Sequence, residues 1–492
     1  MKRIKQIITI ASLMILGSSA FAKGDTYIYD YWGEVEKSPD VYRVSSVLYA
    51  NDLDLDTSLE NPSSLYCIGD LLYVVDTGNN RIVELEYNEN KTVSFRRVID
   101  HFYSDDPTVN TTFNGPNDIF INAEDGSFFI ADTNNGRVVK LDKDLNLLLV
   151  FVEPDDPTYE KGKTFYPQKV VADTKGRAYV LAKNVNKGFI KYEFDGSFAG
   201  FYGASEVNYD WTTYLWKKYF STKAQREQME SFVPTEYSNA TMDSEGFIYA
   251  VTKTFEQWDL KSDKAKPILR LNALGNDILV KNGIYLPIGD LQWGNAAGIK
   301  EPAHFNDITV LDDDIYITID ESRGRIFAYN NQGDLLYAFG NKGNINGYFR
   351  SPVSIEHIGK DLFVLDNQNA SVTVFTPTEY GSLIYEATEL YAVGEYDKSA
   401  EVWAEVLKQN GNYDLAYLGL GKAYFRQGKY KDAMELFQLK RNRKNYSKAF
   451  QYYRKDWIEH NIGYVVLVVV VLILIPFVIK RVKAFRKELK SL

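Results

Sequence analysis

One cysteine in 492 residues, Cys67, leaves no partner for an intrachain disulfide and excludes a small disulfide-stapled scaffold. Histidine is nearly as scarce. His101, His304, His357 and His460 are scattered, no His-Glu-x-x-His pair is present, and no Gly-x-Ser-x-Gly nucleophile elbow exists. Basic charge is in deficit, with 56 Lys and Arg against 66 Asp and Glu, for a net charge of −10. A nucleic-acid binder needs a basic face, so that class of partner is excluded. Long apolar runs are also few. One lies near each end of the chain, and everything between them has an ordinary globular composition.

The first run reads as an export leader over residues 1–22. Lys2, Arg3 and Lys5 precede an apolar stretch at 7–16, and Ala20-Phe-Ala22 supplies a small-x-small cleavage site before Lys23. Lys23 rather than a cysteine directly follows that site, which argues against a lipid anchor there. The second run, 462–479, is apolar apart from Gly463, Tyr464 and Pro476. At ~1.5 Å per residue it just spans a bilayer core. It stops at a basic tail, 480–492, with six Lys or Arg against one Glu, which the positive-inside rule places in the cytoplasm. The expected topology is a single-pass cell-membrane protein with its N-terminal part extracellular. Residues 1–22 carry three net positives and 480–492 carry five, so the part between holds about −18 of charge.

Between the runs the dominant feature is repetition. Leu72-Tyr-Val-Val-Asp76-Thr-Gly-Asn-Asn80-Arg81-Ile-Val returns as Phe129-Ile-Ala-Asp132-Thr-Asn-Asn-Gly-Arg137-Val-Val. Fainter copies are Ile315-Tyr-Ile-Thr-Ile-Asp320 with Arg325-Ile-Phe, and Leu362-Phe-Val-Leu-Asp366 with Val372-Thr-Val. Two degenerate copies, Ala178-Tyr-Val-Leu-Ala182 and Phe247-Ile-Tyr-Ala-Val251, bring the number to six. A strand–turn–strand unit at a period of ~40–55 residues cannot bury its apolar face alone, so it implies a radial β architecture. The repeat resembles the NHL family over roughly residues 42–378, and the resemblance implies an all-β six-bladed β-propeller at 41–378.

Each blade opens on an inner strand and turns through a hairpin such as Gly69-Asp70, Asp125-Gly126 or Glu245-Gly246. The last copy lacks an outer strand, because Thr376-Pro377 breaks the pattern, and residues 41–50 can supply it and close the ring. In the repeated turn, Asp76 and Asp132 are expected to cap the turn, with Arg81 and Arg137 pairing between blades. Two insertions depart from the repeat. Residues 205–232 have a helical pattern with Trp211 on the apolar face, and 283–302 form a Gly-rich loop with Tyr285 and Trp293. Trp211 and Trp293 are candidate platforms for a sugar ring or a partner.

The channel mouth should be ringed by Glu60 and Ser63, Asn117 and Asp118, Gln168 and Lys169, Ser238 and Asn239, Asn306 and Asp307, and Val353 and Ser354. Converging carboxylate and amide oxygens there suit a hard divalent cation such as Ca²⁺. Glu60-Asn-Pro62 followed by Leu71-Leu-Tyr-Val resembles the opening of the gluconolactonase (senescence marker protein) family, and Asn117 and Asn239 resemble its two Asn ligands. That resemblance implies a metal set of Glu60, Asn117, Asn239 and Asp307. Its Asp register falls at Asn306, however, one residue before Asp307. Strand alternation then turns Asp307 away unless a bulge intervenes.

After Pro377 the period becomes helical. Gly394-Glu-Tyr396-x-x-Ser399-x-x-x-Trp403 recurs 34 residues later as Gly428-Lys-Tyr430-x-x-Ala433-x-x-x-Phe437. The spacing resembles tetratricopeptide repeats over 384–457, with a fifth helix as cap. Trp403 and Phe437 should pack each second helix onto its first, with Tyr396 and Tyr430 in the turns. The reading is a membrane-anchored extracellular binding or scaffold protein that engages a protein partner or ligand at the membrane or cell surface, with catalysis left open. Two alternatives stay open: a metal-dependent gluconolactonase-like hydrolase, and a carbohydrate-recognition accessory of a surface transport system.

Overall fold

The computed structural model describes residues 25–489 apart from 31, 157–158, 160–163, 184, 186, 204–236, 253–265, 284, 291–302 and 312–314. The expected leader, the helical insertion with Trp211, and Trp293 lie outside the described residues. The chain divides into two units, 1–382 and 383–492.

The first unit is a six-bladed β-propeller. Blade 1 runs through Ser64–Ile68, Leu71–Asp76, Arg81–Tyr87 and Val93–Ile99, and blade 2 through Pro116–Ile121, Phe128–Asp132, Arg137–Leu141 and Leu147–Phe151. Blade 3 comprises Pro167–Ala172, Ala178–Ala182, Phe189–Tyr192 and Phe198–Tyr202. Blade 4 has three described strands, Tyr237–Met242, Ile248–Thr252 and Ile268–Leu271. Blade 5 is Phe305–Val310, Tyr316–Asp320, Arg325–Tyr329 and Leu335–Phe339, and blade 6 is Pro352–Ile358, Asp361–Asp366 and Ser371–Pro377. Each inner strand packs against the next around the ring, including the last against the first.

The second strands of blades 2 to 6 are buried along their whole length, because both faces of a blade meet a neighbour. The core is therefore a series of apolar layers between blades. Leu72, Val74, Val83 and Leu85 of blade 1 pack with Phe363, Leu365, Val372 and Val374 of blade 6, and equivalent clusters fill the next interfaces.

Residues Tyr42–Leu48 close the ring. They lie antiparallel to Ser371–Pro377 as the outer strand of blade 6, in a register that pairs Val372 with Leu48 and Pro377 with Tyr42. A second use of the N-terminal region had no sequence signal strong enough to read. The hairpin Tyr27–Tyr29/Val35–Lys37 adds a fifth and sixth strand to blade 5 through Tyr27 opposite Ala338. A buried carboxylate anchors it: Asp290 accepts from the hydroxyls of Tyr27 (2.8 Å) and Tyr29 (2.5 Å) and pairs with Arg325.

Five helices follow the propeller, α1 (Glu379–Ala392), whose first turn belongs to the first unit, and in the second unit α2 (Tyr396–Gln409), α3 (Asp414–Arg426), α4 (Tyr430–Leu439) and α5 (Arg443–Leu489). Gly394 and Gly428 end α1 and α3 at positive φ, and Ser399 and Ala433 are fully buried where the helices cross. Phe437 of α4 packs on Gly421 of α3, as the 34-residue register predicts. Trp403 reaches the following repeat. Its indole covers Gly419, so α2 is seated on the first helix of the following repeat. Two glycines two residues apart face nearly opposite sides of a helix, which is why α3 can be gripped from both sides.

The cap and the apolar run are one helix. α5 continues for 47 residues from Arg443 through Pro476 to Leu489. Its apolar part is long enough to cross a membrane and is fully exposed within the chain's own fold.

Candidate functional site

The inner strands converge on the channel, and five of the six carry the same irregularity. The pairing register jumps between Pro116 and Asp118, Pro167 and Lys169, Tyr237 and Asn239, Phe305 and Asp307, and Pro352 and Ser354. Each jump leaves one extra residue: Asn117, Gln168, Ser238, Asn306 and Val353. A bulge reverses the side-chain alternation, so the residue after it turns inward. Asp118, Lys169, Asn239, Asp307 and Ser354 are all buried, and blade 1 contributes buried Ser64 rather than Ser63.

These residues form a hydrogen-bonded belt. Asn239 of blade 4 donates to Asp307 of blade 5 at 2.5 Å, and Asp307 accepts from Ser354 (2.5 Å) and the Ile355 N–H (2.8 Å) of blade 6. The Ser354 hydroxyl accepts from the Leu65 N–H of blade 1 at 3.0 Å, and the neighbouring Ser64 donates to Asp118 of blade 2 at 2.6 Å. Asp118 then meets blade 3, accepting from the Val170 N–H at 2.9 Å and from the Lys169 ammonium at 3.3 Å. Lys169 also reaches Ser64, two blades away, at 3.1 Å. The belt thus links blades 4, 5, 6, 1, 2 and 3 in order. Ser63 of blade 1 and the bulge residues Ser238 and Asn306 bond the backbone of the following blade, on Asn117, Phe305 and Val353 respectively.

The four candidate ligands occupy three different settings. Asn239 and Asp307 touch each other, Asn117 is a bulge residue, and Glu60 is exposed on the rim, its N–H bonded to Asp76 at 2.7 Å. Asp307 accepts four bonds, the fourth from the Ile308 N–H at 2.8 Å. A carboxylate has about four lone-pair directions, so all are taken by protein donors. As arranged, these residues do not fit a single coordination shell. Among the described residues, no three His, Cys, Asp or Glu side chains cluster as ligands.

Burial dominates the titration of this belt. It pushes the Asp307 carboxyl up to about 6, against the pull of Lys169 and of the donors from Ser354, Ile355 and Ile308. Deeper in the channel, Glu356 accepts from Thr309 at 3.0 Å and is held well above the usual carboxyl range, by burial first and by Asp307 second. A carboxyl raised in the folded state stabilises fully below its unfolded value and loses that contribution as pH rises through the folded value. Asp307 alone should therefore make the propeller more stable at pH 5 than at pH 7.5. Melting temperatures of wild type and Asp307→Asn across that window check this, and wild type should gain relative to the variant as pH falls.

The repeated Asp has a structural task that the sequence shows only in part. Asp76 is fully buried and accepts from the Glu60 N–H, the Asn79 amide and Arg81 at 2.7–2.8 Å. Asp132 does the same for Asn114, Asn135 and Arg137, at 2.8 Å each. The arginines do not pair between blades. Arg81 and Arg137 hold the Asp of their own blade, while their second arms bond the Thr57 and Thr112 carbonyls of the preceding loop. The motif fastens the loop that delivers an inner strand to the turn of the same blade.

The helices match the tetratricopeptide repeat model over residues 386–446. No curated protein has a matching sequence. Several solved structures match at low identity and low TM-score. The virginiamycin B lyase of Staphylococcus aureus is 11% identical, with 68% of this chain and 99% of that chain covered and a TM-score of 0.37. Hydrazine synthase of Kuenenia stuttgartiensis is 9% identical over 66% and 97% of the two chains, with a TM-score of 0.38. The extracellular domain of a two-component system protein of B. thetaiotaomicron is 12% identical over 69% of this chain and 39% of that one, with a TM-score of 0.36. Likeness at this level says nothing about chemistry.

Proposed function

We propose that the chain is a membrane-tethered interaction scaffold, with its propeller and helical repeats on the outer side and residues 480–492 in the cytoplasm. The observation that carries this reading is α5, a single 47-residue helix that begins as the cap of the repeats and ends as an apolar span. A helix built in this way holds a peptide-binding type of fold at a bilayer without a flexible linker. The basic flank after Ile479 and the leader-like residues 1–22 support the orientation. The protein partner sits at the membrane or cell surface.

The test is topological. A reporter fused after Leu492 should remain cytoplasmic, while protease added to intact cells stripped of their outer layers should digest residues 23–460. A protected propeller would overturn the orientation. The hydrolase alternative needs a cation to displace the donors that now fill Asp307. Added Ca²⁺ should leave the melting temperature unchanged, and a rise of several degrees together with lactone hydrolysis would favour the enzyme instead.

A further inference from the structure

Charge is segregated along the helical unit. Residues 379–414 hold eight Asp or Glu against two Lys. Residues 422–455 hold eleven Lys or Arg against two acids, Asp432 and Glu435. Such a split within one small array is not what an evenly solvated surface requires. Three of the exposed cations rest on rings. Arg426 lies over Tyr396 at 5.8 Å, Lys429 over Tyr424 at 5.3 Å, and Lys448 over Phe425 at 5.4 Å. Phe425, Tyr430 and Tyr452 form a continuous aromatic floor, with centroids 5.1–5.7 Å apart. Among the described residues, no ion pair joins Arg443, Lys444 or Arg454 to an acid.

For a face held at the outer side of a membrane, as the scaffold reading has it, the choice of anionic partner is between a lipid surface and an acidic protein segment, and helix geometry decides between them. α5 rises ~1.5 Å per residue, which puts Arg454 and Lys455 roughly 10–12 Å from Ile462, but Arg443 and Lys444 almost 30 Å away. The field of a charged bilayer falls off within a Debye length of about 8–10 Å. On α5, Arg454 and Lys455 can therefore feel headgroups, whereas Lys448, Lys444 and Arg443 stand about 20 Å or more along the helix from Ile462.

We infer that the second repeat and its cap form a docking face for an acidic protein segment, with Arg426, Lys429, Lys444 and Lys448 as its cations and Phe425, Tyr430 and Tyr452 as its floor. The inference rests on the scaffold reading and names the chemical class of its partner. Guanidinium and ammonium groups supply the attraction and the register. The aromatic floor excludes water from the ion pairs and strengthens them. The acidic first repeat repels the same ligand, which confines it to one end of the array.

The test uses the full chain in neutral detergent micelles and a fluorescein-labelled decaglutamate peptide. Anisotropy should show binding that weakens steeply between 50 and 300 mM salt. Arg426→Gln/Lys429→Gln/Lys444→Gln/Lys448→Gln should weaken it at least tenfold, and Glu401→Gln/Glu405→Gln should leave it unchanged or tighter. Arg443→Gln/Arg454→Gln, whose side chains touch no ring, should weaken it a few-fold and guards against a misfolded quadruple variant. Equal binding by wild type and both basic variants would overturn the inference. So would nanodiscs containing phosphatidylglycerol that abolish peptide binding when phosphatidylcholine nanodiscs do not, because the face would then belong to the membrane. If Trp403→Ala removes a co-purifying partner while the basic variants retain it, the scaffold reading survives and the acidic ligand does not.

Discussion

Trp403→Ala should melt the helical array while leaving the propeller's own transition in place. The indole is almost wholly buried and lies against Gly419 of α3, where an added Cβ would stand 2.5 Å from the indole nitrogen. Emptying such a site typically costs ~3–5 kcal/mol, a large share of the stability of an array this small. The companion variant is more diagnostic. Gly419→Ala puts a better helix former into the middle of α3, worth about 1 kcal/mol in an unpacked helix. Here the methyl collides with the indole, so the net effect should be a loss of roughly 1–3 kcal/mol from overpacking. Trp403→Phe should partly rescue Gly419→Ala, giving a coupling energy of the sign expected for residues in contact. Circular dichroism at 222 nm, scanned with temperature on the full chain, checks all three. A Gly419→Ala variant more stable than wild type would mean that the helices do not approach as closely as described.

Removal of residues 23–55 should abolish cooperative unfolding of the propeller or cause aggregation. The lost strand Tyr42–Leu48 pairs along Ser371–Pro377, and its loss leaves an unpaired edge on blade 6. Leu48, Ala50, Leu53 and Leu55 leave the apolar layer between blades 6 and 1, so that Leu72, Val374 and their neighbours are no longer covered. Tyr42, stacked on Phe339 at 5.2 Å, goes as well. A shorter deletion of residues 23–38 separates the two roles of the N-terminal region. It takes away the hairpin on blade 5, the Asp290 contacts of Tyr27 and Tyr29, and the bonds of Asp25 and Ser38 to Asn341, Tyr348 and Tyr380, but leaves the ring-closing strand, so a shifted but still cooperative transition is expected. Calorimetry of the two truncated chains distinguishes these outcomes. Equal melting of wild type and the longer deletion would mean that the ring closes elsewhere.

The sequence alone determined six blades, the strand that closes them, the 34-residue register and the apolar span. Each rests on periodicity, and periodicity reports burial directly: strands packed on both faces read as apolar runs, and paired helices repeat their small and aromatic residues at a fixed interval. Blade closure was legible because the break at Thr376-Pro377 left a strand missing and residues 41–50 were the one segment outside the repeat able to supply it.

Only the tertiary structure decided what the inner strands do. The channel pairs were legible as polar positions, but which member of each pair turns inward depends on a bulge, and a bulge is set by pairing with the second strand rather than by composition. Asp307 therefore faces Asn239 and Ser354, in a position that unbroken alternation would have denied it. Partner choice was likewise non-local. Arg81 could have reached across blades or back to Asp76, and only the fold of the turn selects the second. The same holds for Gly419. Nothing in the spacing distinguishes a glycine that weakens α3 from one that lets Trp403 of the previous repeat settle on it, because the distinction lies in how close another helix comes.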